Sequence, residues 1–472
     1  MSKSRLPKKS ENTSEWYTTV IRLADLADYG PAKGTMIIKP YGYAIWELVQ
    51  DALNERIKAK GVGNSYFPLL IPMSFLEKEK DHIDGFAPEL AVVTHGGGEK
   101  LEEPLVIRPT SETIMYNSYA QWIQSWRDLP LMMNQWNNVV RWEKRTTPFL
   151  RTSEFLWQEG HTAHATHEEA VELQQWAMDQ YVNVYRDYFA LDGFRGYKSQ
   201  SERFAGAANT LTFEQLMPSG KVLQSCTSHD LGQHFSEVFD ISFQDQDGNN
   251  AKVWQTSWGF STRSIGGLIL GHGDDNGLRL PPKIAPLQVV VVPVKPEDRV
   301  LRYGVGLVEI LKRQGVRVQL DDRDDESFGF KLNKWEVKGV PVLLKIGDKE
   351  VEAETVSYRR RDILQDGSFS IAETADAVTT LLNTIQSNML QESITHRDEN
   401  TREVATYEEF KKTLEEHKGF IKVHWEDNSE IEAKIKEETK ATSRCRLEDE
   451  SEGIDFYTGK PTRNVWLFAQ SY

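Results

Sequence analysis

Cysteine is nearly missing: the 472-residue chain has only Cys226 and Cys445. Two distant thiols supply neither a disulfide framework nor a four-cysteine zinc site, and they suit a reducing compartment. Long apolar runs are missing as well. The longest, Leu287 to Val294, is strand-length, well short of the roughly 18 residues that cross a bilayer. The N-terminal stretch MSKSRLPKKSENTSEW is basic but is followed by no apolar segment, so no secretory signal is expected and a soluble, cytoplasmic protein is. No glycine-rich run leads into Gly-Lys-Ser/Thr, which excludes a P-loop. GHGDDNG (271–277) lacks both the GxGxxG spacing and the acid that follows it in dinucleotide sites. Excess positive charge is also wanting. The formal net charge of −15 argues against a general nucleic-acid coat, though not against local basic patches.

What is present reads as α/β and multidomain. Residues 43–60 and 168–190 have helical periodicity. Strand-like runs lie at 65–71, 104–107, 138–143, 153–159, 222–225, 236–243 and 252–257, with a hairpin turn at DQDGNN (245–250). So many short strands with few crossover helices predict a mainly antiparallel sheet flanked by helices. LRLPPKIAP (278–286) closes that region, and the rhythm changes. Strand 287–294, helix 300–315, strand 316–322, helix 327–339 and strand 340–347 form a βαβαβ series. From about residue 390 the chain turns strongly charged and helical, as in 406–419, and ends in a short α/β piece with the apolar run VWLFA (465–469). Domains are expected at 1–284, 285–385 and 386–472.

Four segments concentrate reactive side chains: RPTSET (108–113), RWEKRTTPFLRTSEFLWQEGHTAH (141–164), LQSCTSHDLGQHF (223–235) and WGFSTRSIGGLILGHGDDNGLRLPPKIAP (258–286). Arg108, Arg141, Arg151, Arg263 and Arg279 each sit beside strand-like apolar residues. Guanidiniums delivered by rigid elements are what a polyphosphate requires, since each can make bidentate hydrogen bonds. His161, His164 and His167 are spaced by three but lack the HExxH pattern of a zinc site, and a helix start is the expected reading.

These blocks resemble the signature motifs of class II aminoacyl-tRNA synthetases, and in particular the prolyl-tRNA synthetase family in its short form, over nearly the whole chain. Residues 39–72 resemble the dimer-interface helix and strand of motif 1, 141–164 motif 2, and GLRLPPKIAP motif 3. RPTSE, FLWQEGHTAH and WGFSTRSIG together favour proline over other class II substrates. The resemblance implies a catalytic antiparallel sheet flanked by helices, an α/β anticodon-binding domain and a small C-terminal domain. No editing insertion separates motifs 2 and 3. The implied activity joins L-proline to proline tRNA with ATP and Mg²⁺, in two steps through prolyl-adenylate, in a homodimer with no membrane partner.

By the same resemblance Arg141 bridges the proline carboxylate and the α-phosphate, and Arg279 clamps the γ-phosphate. Glu143 and Phe155 take adenine, and Arg151 and Thr152 meet phosphate or ribose. Gln224 and Thr227 support ribose and Mg²⁺, with Ser261 and Arg263 nearby. For proline, Thr110 and Glu112 hold the imino nitrogen, Trp157, Phe204 and His161 wall the ring, Glu159 fixes His161, and His229 orders the pocket. Glu336 matches an acid that reads guanine in the anticodon. Leu343 stands where the family often has arginine, with Lys345 as one substitute, and the basic run 358–361 is a candidate phosphate contact. In the C-terminal domain only Cys445 remains of the family's zinc thiols. Asp455 and Tyr457 occupy thiol positions, so no structural zinc is expected, and the terminal Tyr472 matches a family feature. A threonyl enzyme would need a cysteine–histidine zinc set that this chain lacks. A non-catalytic RNA-binding relative would usually lose the ATP arginines, and a ligase that loads a carrier protein would lack the anticodon-like domain.

Overall fold

The computed structural model describes residues 6–78 and 90–472; the first five residues of the basic N-terminus lie outside it. The helix Pro40–Ala59 opens on proline, whose missing N–H is no loss in a first helical turn. It buries Ile45, Trp46, Val49, Leu53 and Ile57 along one stripe. The helix His167–Asp187 begins where Thr166 accepts a hydrogen bond from the Glu169 N–H, with Glu168 and Glu169 in its first turn. The expected helix start holds for His167 alone; His161 and His164 end the strand Glu154–His164.

Both helices pack against one another and, where Trp46 and Tyr181 meet Phe260, on one face of the central sheet. Its strands run Phe194–Tyr197, Asn209–Leu216, Val222–Gly232, Trp254–Ser261, Glu154–His164 and Leu131–Val140, every neighbour antiparallel. Gly63–Asn64 pairs in parallel at the edge. Two runs depart from expectation: 65–71 is extended only from Leu70, in the strand Leu70–Pro72, and 236–243 does not form a single strand. His234–Val238 is helical, burying Phe235 and Ser236, and only Ser242–Gln244 is extended. Ser236 Oγ donates to the Gln233 carbonyl at 2.9 Å, a local bond that supports a turn of helix, and Asp240 with φ of 55° then redirects the chain. The expected hairpin at 245–250 joins Ser242–Gln244 to Asn250–Lys252.

The second sheet has the expected parallel core: Val318–Leu320, Val289–Pro293 and Val342–Ile346. The helices Asp298–Arg313 and Phe328–Val337 cover it. An antiparallel hairpin, Thr355–Arg360 with Asp366–Ser370, extends it. This hairpin corrects the reading of 358–361 as a phosphate-binding run. Arg360 and Arg361 are buried and paired with Asp362 and Asp274.

A single helix, Thr374–Glu399, crosses the expected boundary near 385. Beyond it, Thr401–Glu403, Phe420–His424, Val465–Ala469 and Thr442–Arg446 form a small sheet with VWLFA buried throughout. Arg446 pairs with Tyr197, so this sheet prolongs the central one to 11 strands. The buried Asp455 accepts backbone N–H bonds from Glu426, Tyr457 and Thr458 at 2.8, 2.9 and 2.8 Å. Asp455→Ala is expected to destabilise the protein by about 2 kcal/mol, because three part-buried donors lose a charged acceptor. Urea denaturation would measure it, and a change below about 0.5 kcal/mol would show that the carboxylate is dispensable.

Candidate active site

Antiparallel partners direct their side chains to one face, so the register builds the site in rows. His161, Ser257, His229 and Thr210 are consecutive partners across four strands. Glu159, Gly259, Thr227 and Thr212 form the next row, and Trp157 faces Ser261 in the one after. A Cβ on Gly259 would stand 3.2 Å from the Trp157 ring, so a bare glycine leaves the indole room.

These rows floor a cavity of about 240 Å³. Thr110, Glu112, Arg141, Phe155, Trp157, Glu159, His161, Phe204, Gln224, Thr227, His229, Ser261 and Arg263 all line it. Its inner end is polar and tightly bonded. Glu159 accepts from Ser111 N and Oγ at 3.1 and 2.5 Å, from Gln135 at 3.1 Å and from Asn137 at 2.6 Å, and it lies 2.9 Å from His161 Nε2. Burial opposes its charge, but His161 and these donors bring its carboxyl down to about 2. Burial also works against His161's proton, yet Glu112 and Glu159 raise its pKa above the ordinary histidine value. Glu112 itself accepts from Thr110 Oγ1.

His229 behaves oppositely: burial, with His161 and Arg141 nearby, lowers it to about 3. Neutral, it bonds Thr210 Oγ1 at 2.9 Å and lies 4.5 Å from the Phe204 ring. Two buried groups on the cavity wall, Trp157 Nε1 and Ser257 Oγ, have no hydrogen-bond partner among the described residues. Sequence reading missed Ser257, although period-two spacing from Ser261 pointed to it.

The outer end is cationic. Arg141 Nε donates to the Pro109 carbonyl at 3.1 Å, and its guanidinium carbon lies 5.5 and 5.4 Å from the Phe155 and Trp157 ring centroids. Arg263, at the start of the helix Arg263–His272, donates Nε to Leu150 O at 3.0 Å. Burial and the neighbouring Arg141 and Arg151 charges hold its pKa below the usual arginine value. Three like charges gathered this closely invite an anion. Arg151, paired with Glu143 at 3.7 Å, faces an adjoining cavity of about 580 Å³ that shares Glu202, Gln224 and Arg263 with the first.

Four expected ligands stand elsewhere. Glu143 lines neither cavity. Thr152 is buried and donates to Glu154 O at 2.7 Å. Arg108 is spent on Phe67 O and on Asn138 O and Oδ1. Arg279 does not line the cavity. Glu392 holds its guanidinium bidentately at 3.0 and 2.6 Å in a separate cleft with Lys9 and Tyr472.

An antiparallel sheet with a carboxylate-and-aromatic pocket opening onto clustered arginines, beside an α/β domain, defines a class II aminoacyl-tRNA synthetase. The family described as "tRNA synthetase class II core domain (G, H, P, S and T)" matches residues 95–271, and "Anticodon binding domain" matches 288–381. The chain belongs to the prolyl-tRNA synthetase family. "Prolyl-tRNA synthetase, C-terminal" matches 407–472. The chain is 51% identical over 475 residues to the proline–tRNA ligase of Rubrobacter xylanophilus, covering 99% of both chains. It is 49% identical over 471 residues to proline–tRNA ligase 2 of Clostridioides difficile, covering 99% of this chain and 98% of that one. The crystal structure of prolyl-tRNA synthetase from Cryptosporidium parvum complexed with halofuginone and AMPPNP superposes with a TM-score of 0.95 at 39% identity, covering 99% of this chain and 100% of that one. The matched core ends at residue 271, after Arg263 and before Arg279.

Proposed function

We propose that the cavity activates L-proline with ATP and that the product is passed to proline tRNA. One observation carries this reading: a single cavity joins a buried carboxylate-and-aromatic pocket to arginines, with Arg141 between the two. In the first step a proline carboxylate oxygen attacks the ATP α-phosphorus and pyrophosphate leaves. In the second, the tRNA terminal ribose hydroxyl attacks the activated carbonyl and AMP leaves. Neither step demands strong acid–base help, so positioning and charge stabilisation carry the catalysis.

Glu112 and Thr110 hold the imino nitrogen, Trp157, Phe204 and His161 enclose the ring, and His229 orders that wall. Glu159 keeps His161 oriented. Arg141 spans the two reacting groups, Phe155 stacks on adenine, and Glu143 takes its amino group. Arg151 meets phosphate at the rim, with Thr152 supporting the strand behind it. Arg263 takes the γ-phosphate role expected of Arg279, because it lines the cavity and Arg279 does not. Gln224, Thr227 and Ser261 present neutral oxygens that suit the ribose and a hydrated Mg²⁺, which when bound would offset phosphate charge. The relative solved with AMPPNP, an ATP analogue, supports the nucleotide assignment.

In the second domain, Leu343 is buried, and its cross-strand partner Arg359 donates to Glu336 at 3.0 Å. We read Glu336 and Arg359 as the guanine-reading pair, with Lys345, held by Asp366, beside them. Exposed Tyr29, Ile37, Tyr43, Tyr66 and Leu70 supply an apolar face for an isologous homodimer. Asp455 replaces a zinc knuckle with hydrogen bonds. A cytoplasmic location fits the two free thiols, and no helix among the described residues is long and apolar enough to cross a membrane.

The test is amino acid-dependent ATP–pyrophosphate exchange, each of the common amino acids assayed separately. Proline is expected to exceed every other by at least about a hundredfold in kcat/KM. Exchange led by another amino acid would overturn the pocket assignment, and no exchange at all would overturn the activity.

A further inference from the structure

The C-terminal domain keeps its place on the catalytic sheet, and what it grips there is the substrate pocket. Residues 199–208 connect the strand Phe194–Tyr197 to Asn209–Leu216, and they carry Glu202 and Phe204 onto the cavity wall. The loop is tied below by Phe204 N–H, which donates to Thr210 Oγ1 at 3.1 Å; that hydroxyl also meets His229. Ala208 N–H also donates to the Asp230 carbonyl at 2.8 Å. Above, the loop is tied by the helix Ser429–Thr439, by its approach and by Ser443, whose Oγ lies 3.2 Å from Ser199 Oγ. Ser199 Oγ donates to Glu432 at 2.9 Å, and Ser201 Oγ donates to the same carboxylate. Gln200 N–H donates to Asp427 at 2.8 Å, and Lys436 lies 3.7 Å from Glu202. Ser443, on a C-terminal strand, holds Glu432 from the other side.

Glu432 and Ser199 are buried, and all three side-chain donors to that carboxylate are hydroxyls. A buried carboxylate held by three neutral donors is costly to place, because hydroxyl hydrogen bonds only partly repay its desolvation. A misplacement of about 1 Å in a substrate-positioning group can cost two orders of magnitude in rate. We propose that Glu432 is a positioning residue for proline: the C-terminal domain sets the height of the 199–208 loop, and with it Phe204 against the substrate ring. This rests on the proline reading of the cavity. Arg141 and Arg263 are anchored outside this loop, by the carbonyls of Pro109 and Leu150.

The experiment is ATP–pyrophosphate exchange by the full-length protein with proline and ATP varied in turn, alongside thermal melts. Glu432→Gln leaves one carbonyl oxygen for three hydroxyls and is expected to raise the KM for proline about tenfold. The KM for ATP and kcat should stay within about twofold. Glu432→Asp should recover part of the loss. A Ser199→Ala, Ser201→Ala double variant attacks the link from the catalytic side and should reproduce the split even if Glu432→Gln folds poorly. Unchanged proline KM, or proline KM, ATP KM and kcat all shifting with the melting temperature, would overturn the proposal. Failure of the unmodified protein to exchange with proline would instead overturn the function on which it rests.

Discussion

Arg263→Met should lower kcat/KM for proline-dependent ATP–pyrophosphate exchange by about a thousandfold, while Arg279→Met should lower it by less than about tenfold. The contrast follows from where each guanidinium is held. Arg263 begins a helix directly after the strand Trp254–Ser261, anchors through Nε to Leu150 O, and leaves its fork on the cavity wall beside Arg141 and Arg151. A charge-assisted bidentate contact that strengthens as negative charge shifts onto the leaving pyrophosphate lowers the barrier, and methionine keeps the bulk but not the charge. Arg279 already has both arms on Glu392, and using it on a phosphate would leave that carboxylate unpaired. Its loss should instead loosen the contact between the catalytic domain and the helix Thr374–Glu399. Steady-state exchange kinetics on both variants decide the matter: a larger defect in Arg279→Met would return the γ-phosphate role to it.

Acid should unfold this protein from near pH 6, well above the carboxylate range. Burial lowers His164 and His272 to about 4, and burial with nearby cations lowers His229 to about 3. Unfolded, each would titrate near 6.5, so between these values the unfolded chain binds more protons and stability falls as pH falls. Each contributes up to about 1.4 kcal/mol per pH unit, and three together up to about 4 kcal/mol per unit between roughly pH 6 and 4. His161 does not offset this. Its pKa is raised, so the stability it contributes is fully present below the unfolded value and is lost only as pH rises through the folded one. Glu159, held at about 2, adds stability above its unfolded value near 4.5 and loses it as pH falls further. Urea midpoints taken from about pH 7.5 down to about pH 5 should show the slope. His272→Gln, which removes a histidine bonded to Phe189 O outside the cavity, should flatten it. A flat profile over that range in the unmodified protein would contradict the buried neutral histidines.

Much of the site was legible because its residues are neighbours in a strand. Trp157, Glu159 and His161 alternate along Glu154–His164, and period two alone puts them on one face. Arg141, Arg151 and Phe155 bracket the loop that returns to that strand. The βαβαβ rhythm after residue 286 was equally plain, since parallel strands buried on both faces read as continuous apolar runs. The helices expected at 168–190 and 406–419 were visible from their pattern and are found at His167–Asp187 and Tyr407–Glu416. The segment His234–Val238 was not, because a short apolar run reads equally well as strand or helix until a tertiary partner selects one.

The sequence by itself therefore determined the class of fold, through local period and residue type, and the family, through the resemblance of its motifs. Tertiary structure decided which arginine faces the cavity, because Glu392, 113 positions from Arg279, competes for it. It also decided that Arg359 stands opposite Leu343 and meets Glu336, and that Arg360 and Arg361 are buried. Finally it joined the C-terminal strands to the catalytic sheet and brought Glu432 to Ser199, 233 positions away. Such pairings are set by competition among distant charged and polar groups for the few partners that burial leaves within reach, and no local pattern carries that information.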